Sequence, residues 1–81
     1  MNENEAKEKI RHFLVKFIKK FDLKDDEDIF ESRLVNSLFA MQLVLFVEKE
    51  FKIKVENKDL DLKNFNSINS IFTFIDGKKS A

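Results

Sequence analysis

Apolar side chains recur at helical spacing in three stretches of this chain, and the first stretch predicts an N-terminal helix. Either Asn2 or Asn4 can cap this helix, and Asn2 with Glu5 has the spacing of a capping box. We expect it to end near Lys20. Its apolar positions share one face of a helix and are Ile10, Phe13, Leu14, Phe17, Ile18 and Phe21.

The second stretch predicts a central helix of roughly fifteen residues with Ser37 in its first turn. Only Gln42 and Lys49 give it a clearly polar side, so it must be covered from several directions. One of its apolar faces consists of Leu38, Met41 and Leu45. Another consists of Phe39 and Phe46. The stripe that we expect to be buried is Ala40, Leu43, Val44, Val47 and Phe51.

The third stretch predicts the last helix, with Ser67 as its N-terminal cap. Gly77 is well placed to end this helix, since glycine commonly follows the last helical turn. Residues 77–81 are then expected to be a mobile tail, as are residues 1–3 at the other end. The inward-facing positions of this helix are Ile68, Ile71, Phe72 and Ile75.

The segments between these helices carry apolar residues that are expected to close the core. Residues 22–36 form a long connection, in which Ile29, Phe30 and Leu34 are expected to fold back onto the bundle. Residues 51–55 alternate apolar and basic side chains, but without a partner strand they are expected to be an extended cap. Residues 56–62 can form one or two short helical turns with Leu60 and Leu62 facing inward.

Composition supports an all-α fold. The 81 residues include ten phenylalanines, one glycine and no proline, which is typical of an uninterrupted helical chain. We therefore expect one domain over residues 1–81, a small four-helix bundle with three longer helices, a short third helix and a long first loop. No apolar run could span a bilayer and the start is too charged for a secretion signal, so a cytoplasmic protein is expected.

Candidate catalytic and metal-ligating groups are few. There is no cysteine, and His12 is the only histidine, so we expect no catalytic residue and no metal site. The acidic stretch of residues 22–31 lacks the glycine and the oxygen spacing of a calcium loop. The formal net charge is zero, with the first helix basic and the loop after it acidic. This balance argues against nucleic acid or a membrane as a partner.

The central helix carries a resemblance to a known family. Asn36-Ser37-Leu38, followed by Met41, Leu43, Val44 and Glu48-Lys49-Glu50-Phe51, resembles the Asp-Ser-Leu motif and second helix of acyl carrier proteins and their peptidyl carrier relatives. The order of a first helix, a long loop, a second helix, a short third helix and a fourth helix is similar over nearly the whole chain. Asn36 departs from the family, in which acyl carriers usually have aspartate at this position.

The resemblance implies a modified serine. In that family the motif serine receives 4′-phosphopantetheine from coenzyme A through a phosphopantetheinyl transferase, and Ser37 is the matching position. The implied function is to hold acyl groups as thioesters on that arm, without catalysis by the carrier itself. On local spacing alone, an ordinary helix cap is the commoner role for a serine at this position. The start at Met1 leads us to expect a free-standing, monomeric carrier.

The resemblance also implies a partner surface along the central helix. Its partners would be the transferase, an acyl-loading enzyme, and dehydrogenases or synthase modules that act on the bound group. The run from Ser37 to Val44 is closest to discrete carriers of polyketide or hybrid peptide pathways that present functionalised malonyl-type extender units. An aminoacyl carrier, a fatty-acid synthesis carrier and a cofactor-free helical interaction module remain alternatives. The residues expected to contact partners are Asn36, Leu38, Phe39, Met41, Gln42, Leu45 and Glu48.

Overall fold

The computed structural model describes residues 2–31 and 37–80, and it is helical with no strand in those ranges. Four α-helices follow one another: α1 Glu3–Ile18, α2 Ser37–Phe51, α3 Leu62–Phe65 and α4 Ile68–Ser80. A 3₁₀ turn, Asn57–Asp59, precedes α3. The expectation of a small all-α chain with a short third helix is therefore confirmed. None of the described helices is long and apolar enough to cross a lipid bilayer.

Helix α1 begins and ends where side-chain and backbone caps satisfy its terminal groups. The Asn2 side-chain oxygen accepts hydrogen bonds from the backbone N–H groups of Asn4 at 2.8 Å and Glu5 at 3.3 Å. At the other end Lys19 adopts the left-handed conformation (φ 56°), and its N–H donates to the Val15 carbonyl at 2.7 Å. The helix thus ends at Ile18, slightly before the Lys20 expected from the sequence.

The hydrophobic core lies where α1, α2 and α4 meet, with α3 packed on α4. Each long helix buries one stripe, and the long connection adds two residues to the core. The buried apolar side chains are Ala6, Ile10, Leu14, Ile18, Leu23, Ile29, Phe39, Leu43, Val47, Phe51, Phe65, Ile68, Ile71 and Ile75.

The connection after α1 is held down by backbone and side-chain hydrogen bonds. The Arg11 guanidinium donates to the Leu23 carbonyl and pairs with the Asp25 carboxylate. The Asn69 N–H, which lacks an acceptor within α4 because it lies in the first turn, donates to the Asp25 carbonyl at 2.9 Å. This pairing places the start of α4 against the connection.

Apolar residues of the connection close the core as the sequence predicts. Ile29 is buried, and its N–H donates to the Asn66 carbonyl at 2.8 Å. Phe30 is partly buried against the core. Leu34, the third residue expected there, lies outside the described residues.

The exposed and buried faces of α2 differ from the prediction at three positions. The predicted burial of Leu43, Val47 and Phe51 is confirmed, but Ala40 and Val44 are only partly buried. Phe39, which was expected to contact partners from an exposed face, is 8% exposed.

The burial of Phe39 has a clear structural cause. The rings of Phe13 and Phe17 on α1 lie 6.0 Å and 5.7 Å from it, centroid to centroid. Helix α1 therefore covers the side of α2 on which Phe39 lies, so this residue belongs to the core.

The segment between α2 and α4 corrects a second prediction. Ile53 and Val55 pack on the core from a non-helical segment, as expected. Leu60 and Leu62, however, are 52% and 63% exposed, so their predicted inward orientation is wrong. Phe65 at the end of α3 is the inward-facing residue instead.

Helix α4 begins as predicted and continues further than predicted. The Ser67 hydroxyl oxygen accepts the Ser70 N–H at 3.0 Å, which is the expected cap. The helix passes through Gly77 and ends at Ser80, so the prediction that Gly77 ends it is wrong. Lys78 in the last turn pairs with Asp59 at 2.6 Å, and a cation near a helix C-terminus is favourable.

Candidate functional site

Ser37 is the first residue of α2, and its side chain is exposed. No acidic residue lies in the first turn of α2, so no carboxylate there opposes a negatively charged group attached to the serine. The N-terminus of a helix carries partial positive charge and favours such a group. Asn36, the preceding residue of the motif, lies outside the described residues.

A groove opens beside Ser37 between α2 and the segment that contains α3. Its volume is about 610 Å³, and most of its lining is apolar. Helix α2 forms one wall, and the 3₁₀–α3 segment forms the other. The residues that line it are Phe30, Ser37, Ala40, Met41, Val44, Leu60, Asp61, Leu62 and Phe65.

The wall opposite α2 is anchored by one aromatic side chain and one hydrogen bond. Phe65 is 4% exposed, and its ring centroid lies 5.1 Å from that of Phe74 on α4. The Glu48 carboxylate accepts the Val55 N–H at 2.8 Å, which ties the start of the segment to α2. These contacts tie the wall to α4 and the segment before it to α2.

A cluster of ion pairs ties the 3₁₀ turn to the last turn of α4. The Lys78 ammonium lies 2.6 Å from the Asp59 carboxylate and 3.5 Å from that of Glu56. The hydrogen bond between Asp59 and Lys78 lowers the pKa of Asp59 below its ordinary value and raises the pKa of Lys78. The pKa of Glu56 is lowered chiefly by its hydrogen bond with Lys58. All of these groups stay charged near neutral pH.

The groove beside Ser37 has few ionisable side chains among its described lining residues. Among the described residues that line it, Asp61 is the only ionisable one, and the Asp61 carboxylate accepts the Lys63 N–H at 2.9 Å as the cap of α3. No histidine or lysine lines this groove to take the proton from the Ser37 hydroxyl. The described residues also contain no group of three or more His, Cys, Asp or Glu placed to hold a metal ion.

Four of the predicted partner contacts form an exposed surface on α2. Leu38, Met41 and Leu45 are 67%, 53% and 60% exposed, and Gln42 is also exposed. Large apolar side chains with this exposure on one helix face are available to a partner. Within this set only Met41 also lines the groove beside Ser37.

The other predicted contacts are not presented in the same way. Phe39 is buried beneath α1, as described above. Glu48 is partly buried and its carboxylate is engaged with Val55.

Sequence reasoning missed the wall of the groove that faces α2. Asp61 could have indicated it, because aspartate before a short apolar stretch is a common helix cap. Phe65 would then have been recognised as the inward residue of that short helix. The exposed positions of Leu60 and Leu62 at the rim carry no such local signal.

Comparison with protein-family models gives no match for this chain, and comparison with curated proteins gives no significant match either. The assignment of the site therefore depends on its own residues and geometry.

Proposed function

We propose that this protein is an acyl carrier protein that bears 4′-phosphopantetheine on Ser37. The observation that carries the proposal is an exposed serine at the first position of α2, within the Ser37-Leu38 part of the motif, beside an apolar groove. On this proposal, the four helices with a long first connection and a short third helix form a bundle of acyl-carrier type.

The residues present fit the attached group. A phosphodiester on Ser37 would lie at the N-terminal end of α2, whose first turn lacks acidic side chains. The walls of the groove are apolar and include Ala40, Met41 and Val44. They would suit an apolar acyl chain on the attached group, because burial removes such a chain from water. When bound, the group would supply the thiol on which acyl groups are held as thioesters, since the chain has no cysteine of its own.

The attachment would be catalysed by a partner transferase. The Ser37 hydroxyl would lose its proton to a base on that enzyme, because the described residues that line the groove include no ionisable group other than the capping Asp61. The serine oxygen would bond the phosphorus of phosphopantetheine, and adenosine 3′,5′-bisphosphate would leave from coenzyme A. The protein contributes an exposed hydroxyl at a helix N-terminus.

The proposed role is to present acyl intermediates to loading enzymes, dehydrogenases or synthase modules. Leu38, Met41, Gln42 and Leu45 would form the contact surface, which carries no charge. The proposed pathway is polyketide or hybrid natural-product biosynthesis with a functionalised malonyl-type extender unit. Loading of an amino acid, or of a fatty-acid intermediate, would identify one of the two other carrier types.

The test is intact-mass measurement after incubation with coenzyme A and a broad-specificity phosphopantetheinyl transferase. We expect the protein to gain the mass of one phosphopantetheine. The Ser37→Ala variant should gain nothing, whereas Ser80→Ala, which removes another exposed hydroxyl, should be modified like the unaltered protein. Modification of Ser37→Ala, or no modification of the unaltered protein, would show that the proposal is wrong.

One observation favours a second candidate function. The exposed side chains of Leu38, Met41 and Leu45 would also serve a helical interaction module that carries no cofactor. Absence of any mass gain by a well-folded protein would favour this candidate.

A further inference from the structure

A second groove lies between α1 and α2, and it shares no lining residue with the groove beside Ser37. Its volume is about 600 Å³. The proposed carrier function does not use this groove, although it contains the only histidine of the chain, His12. This α1–α2 groove combines aromatic and charged side chains.

The floor of the α1–α2 groove is aromatic. The rings of Phe13 and Phe46 are stacked, with centroids 4.2 Å apart and an angle of 15° between their planes. Phe17 lies 4.7 Å from Phe13 and remains 47% exposed. Phe13 and Phe46 are only partly buried. Exposed aromatic surface of this kind is typical of the anchor pockets at protein interfaces.

Charges are distributed unequally along the α1–α2 groove. At one end Lys9 pairs with Glu50 at 3.3 Å, and Glu8 lies in the same turn of α1. At the other end lie His12 and the exposed Lys16, for which the described residues contain no ion-pair partner. Lys9 and Lys16 are about 10 Å apart along the helix axis, a separation of seven residues. One end therefore carries an ion pair and a further glutamate, and the other carries a lysine that has no ion-pair partner among the described residues.

We infer that the α1–α2 groove docks an amphipathic helix of a partner protein that bears carboxylates at one end of its contact face. Apolar side chains spaced by three or four residues would reach the Phe13, Phe17 and Phe46 rings, as helices in hydrophobic grooves commonly do. The carboxylates would lie beside Lys16, which has no ion-pair partner among the described residues, and next to the His12 ring.

Other occupants fit these charges less well. A nucleic acid carries negative charge along its whole length and would meet Glu8 and Glu50 at one end of the groove. A second copy of this chain would offer its acidic loop, but the Leu23 and Ile29 side chains of that loop are buried. The described part of that loop, residues 22–31, therefore offers no exposed aliphatic side chain to place in the groove.

The inference is tested with the full chain and two synthetic helical peptides. Both peptides carry leucine and phenylalanine on one face; one has glutamates at the end of that face, and the other has lysines there. Binding is followed by the shifts of backbone amide signals in a nuclear magnetic resonance titration. We expect the glutamate peptide to shift the signals of residues 9–17 and 42–50 and to bind about tenfold more tightly than the lysine peptide. Its affinity should fall as salt is added.

Matched variants identify the residues responsible. Lys16→Glu should weaken binding of the glutamate peptide by about three- to tenfold. Lys24→Glu changes an exposed lysine outside the groove and should leave the affinity unchanged. Phe17→Ser should weaken binding by more than about tenfold. Phe21→Ser, at a phenylalanine that is 83% exposed and does not line the groove, should leave the affinity unchanged.

Several results would overturn the inference. They are equal affinity for the two peptides, equal effects of Lys16→Glu and Lys24→Glu, and shifts centred on residues 60–65 instead of the α1–α2 groove. Shifts that depend on the concentration of the protein alone would assign the surface to a second copy. Ser37→Ala should bind the glutamate peptide normally, so failure of the carrier proposal and failure of this inference are separate outcomes.

Discussion

Replacing Phe65 with alanine tests the anchor of the groove wall that faces α2. Phe65 and Leu62 belong to the same four-residue helix, α3, but Phe65 is 4% exposed whereas Leu62 is 63% exposed. Phe65→Ala and Leu62→Ala therefore change the same short helix, but only Phe65→Ala removes a buried side chain. We expect Phe65→Ala to be strongly destabilising and Leu62→Ala to be nearly neutral.

The magnitude follows from the area removed from water. A buried phenylalanine removes roughly 150–250 Å² from water, which at about 25 cal/mol per Å² is worth about 4–6 kcal/mol. Alanine keeps part of that burial, so a loss of about 3–5 kcal/mol is expected, as for other core phenylalanines. Loss of the ring pair between Phe65 and Phe74 adds to the effect. Leu62→Ala, on the exposed side, should cost less than about 1 kcal/mol.

The assay is urea unfolding of both variants and the unaltered protein, followed by circular dichroism. A chain of 81 residues is expected to have a free energy of unfolding of about 4–12 kcal/mol. Phe65→Ala should therefore lower the urea midpoint severely or leave much of the protein unfolded without denaturant. Similar losses in the two variants, or a larger loss in Leu62→Ala, would show that α3 does not face α4 through Phe65.

Two further predictions concern α2 and the ion pairs at the end of α4. Leu43→Ala should cost about 2–5 kcal/mol of unfolding free energy, because Leu43 is fully buried. Leu45→Ala should leave the thermal midpoint nearly unchanged but slow loading by an acyl-loading partner. Equal losses of stability in Leu43→Ala and Leu45→Ala would contradict the assignment of Leu43 to the buried face and Leu45 to the exposed face. Since Lys78 lowers the pKa of Asp59, their contribution to stability should be present above the ordinary carboxyl pKa of about 4 and lost as the pH falls below it. Urea midpoints measured near pH 7 and pH 3 should differ less in Lys78→Gln than in Lys79→Gln, which changes a neighbouring exposed lysine; equal differences would contradict the pairing.

The candidate site is only partly predictable from sequence. Ser37 could be singled out because it opens the central helix within a recognisable motif, and the structure describes it as exposed at that helix start. The role of the serine remains a proposal. The groove beside it could not be predicted, because its far wall comes from residues 60–65, which are distant in sequence and only partly belong to the short helix α3.

Local patterns were sufficient for the main helices of this protein. Apolar spacing and nearby capping side chains indicated α1, α2 and α4, because helical periodicity and caps depend on residues within one or two turns. Asn2 and Ser67 cap α1 and α4 as their positions in the sequence suggested. The absence of proline and the single glycine left little that could interrupt these helices.

Only the tertiary structure decided which of several apolar faces is buried. Helix α2 has apolar residues on most sides, and Phe39 became core because α1 lies over it, whereas Leu38 stayed exposed. Packing likewise decided which residue of the segment before α4 faces the core, since Phe65 is buried and Leu62 is exposed. Helix α4 continued through Gly77, and the pairing of Lys78 with Asp59 stabilises the last turn. Burial and long-range pairing depend on which elements meet in space, and a single chain rich in phenylalanine offers more apolar surface than one core can cover.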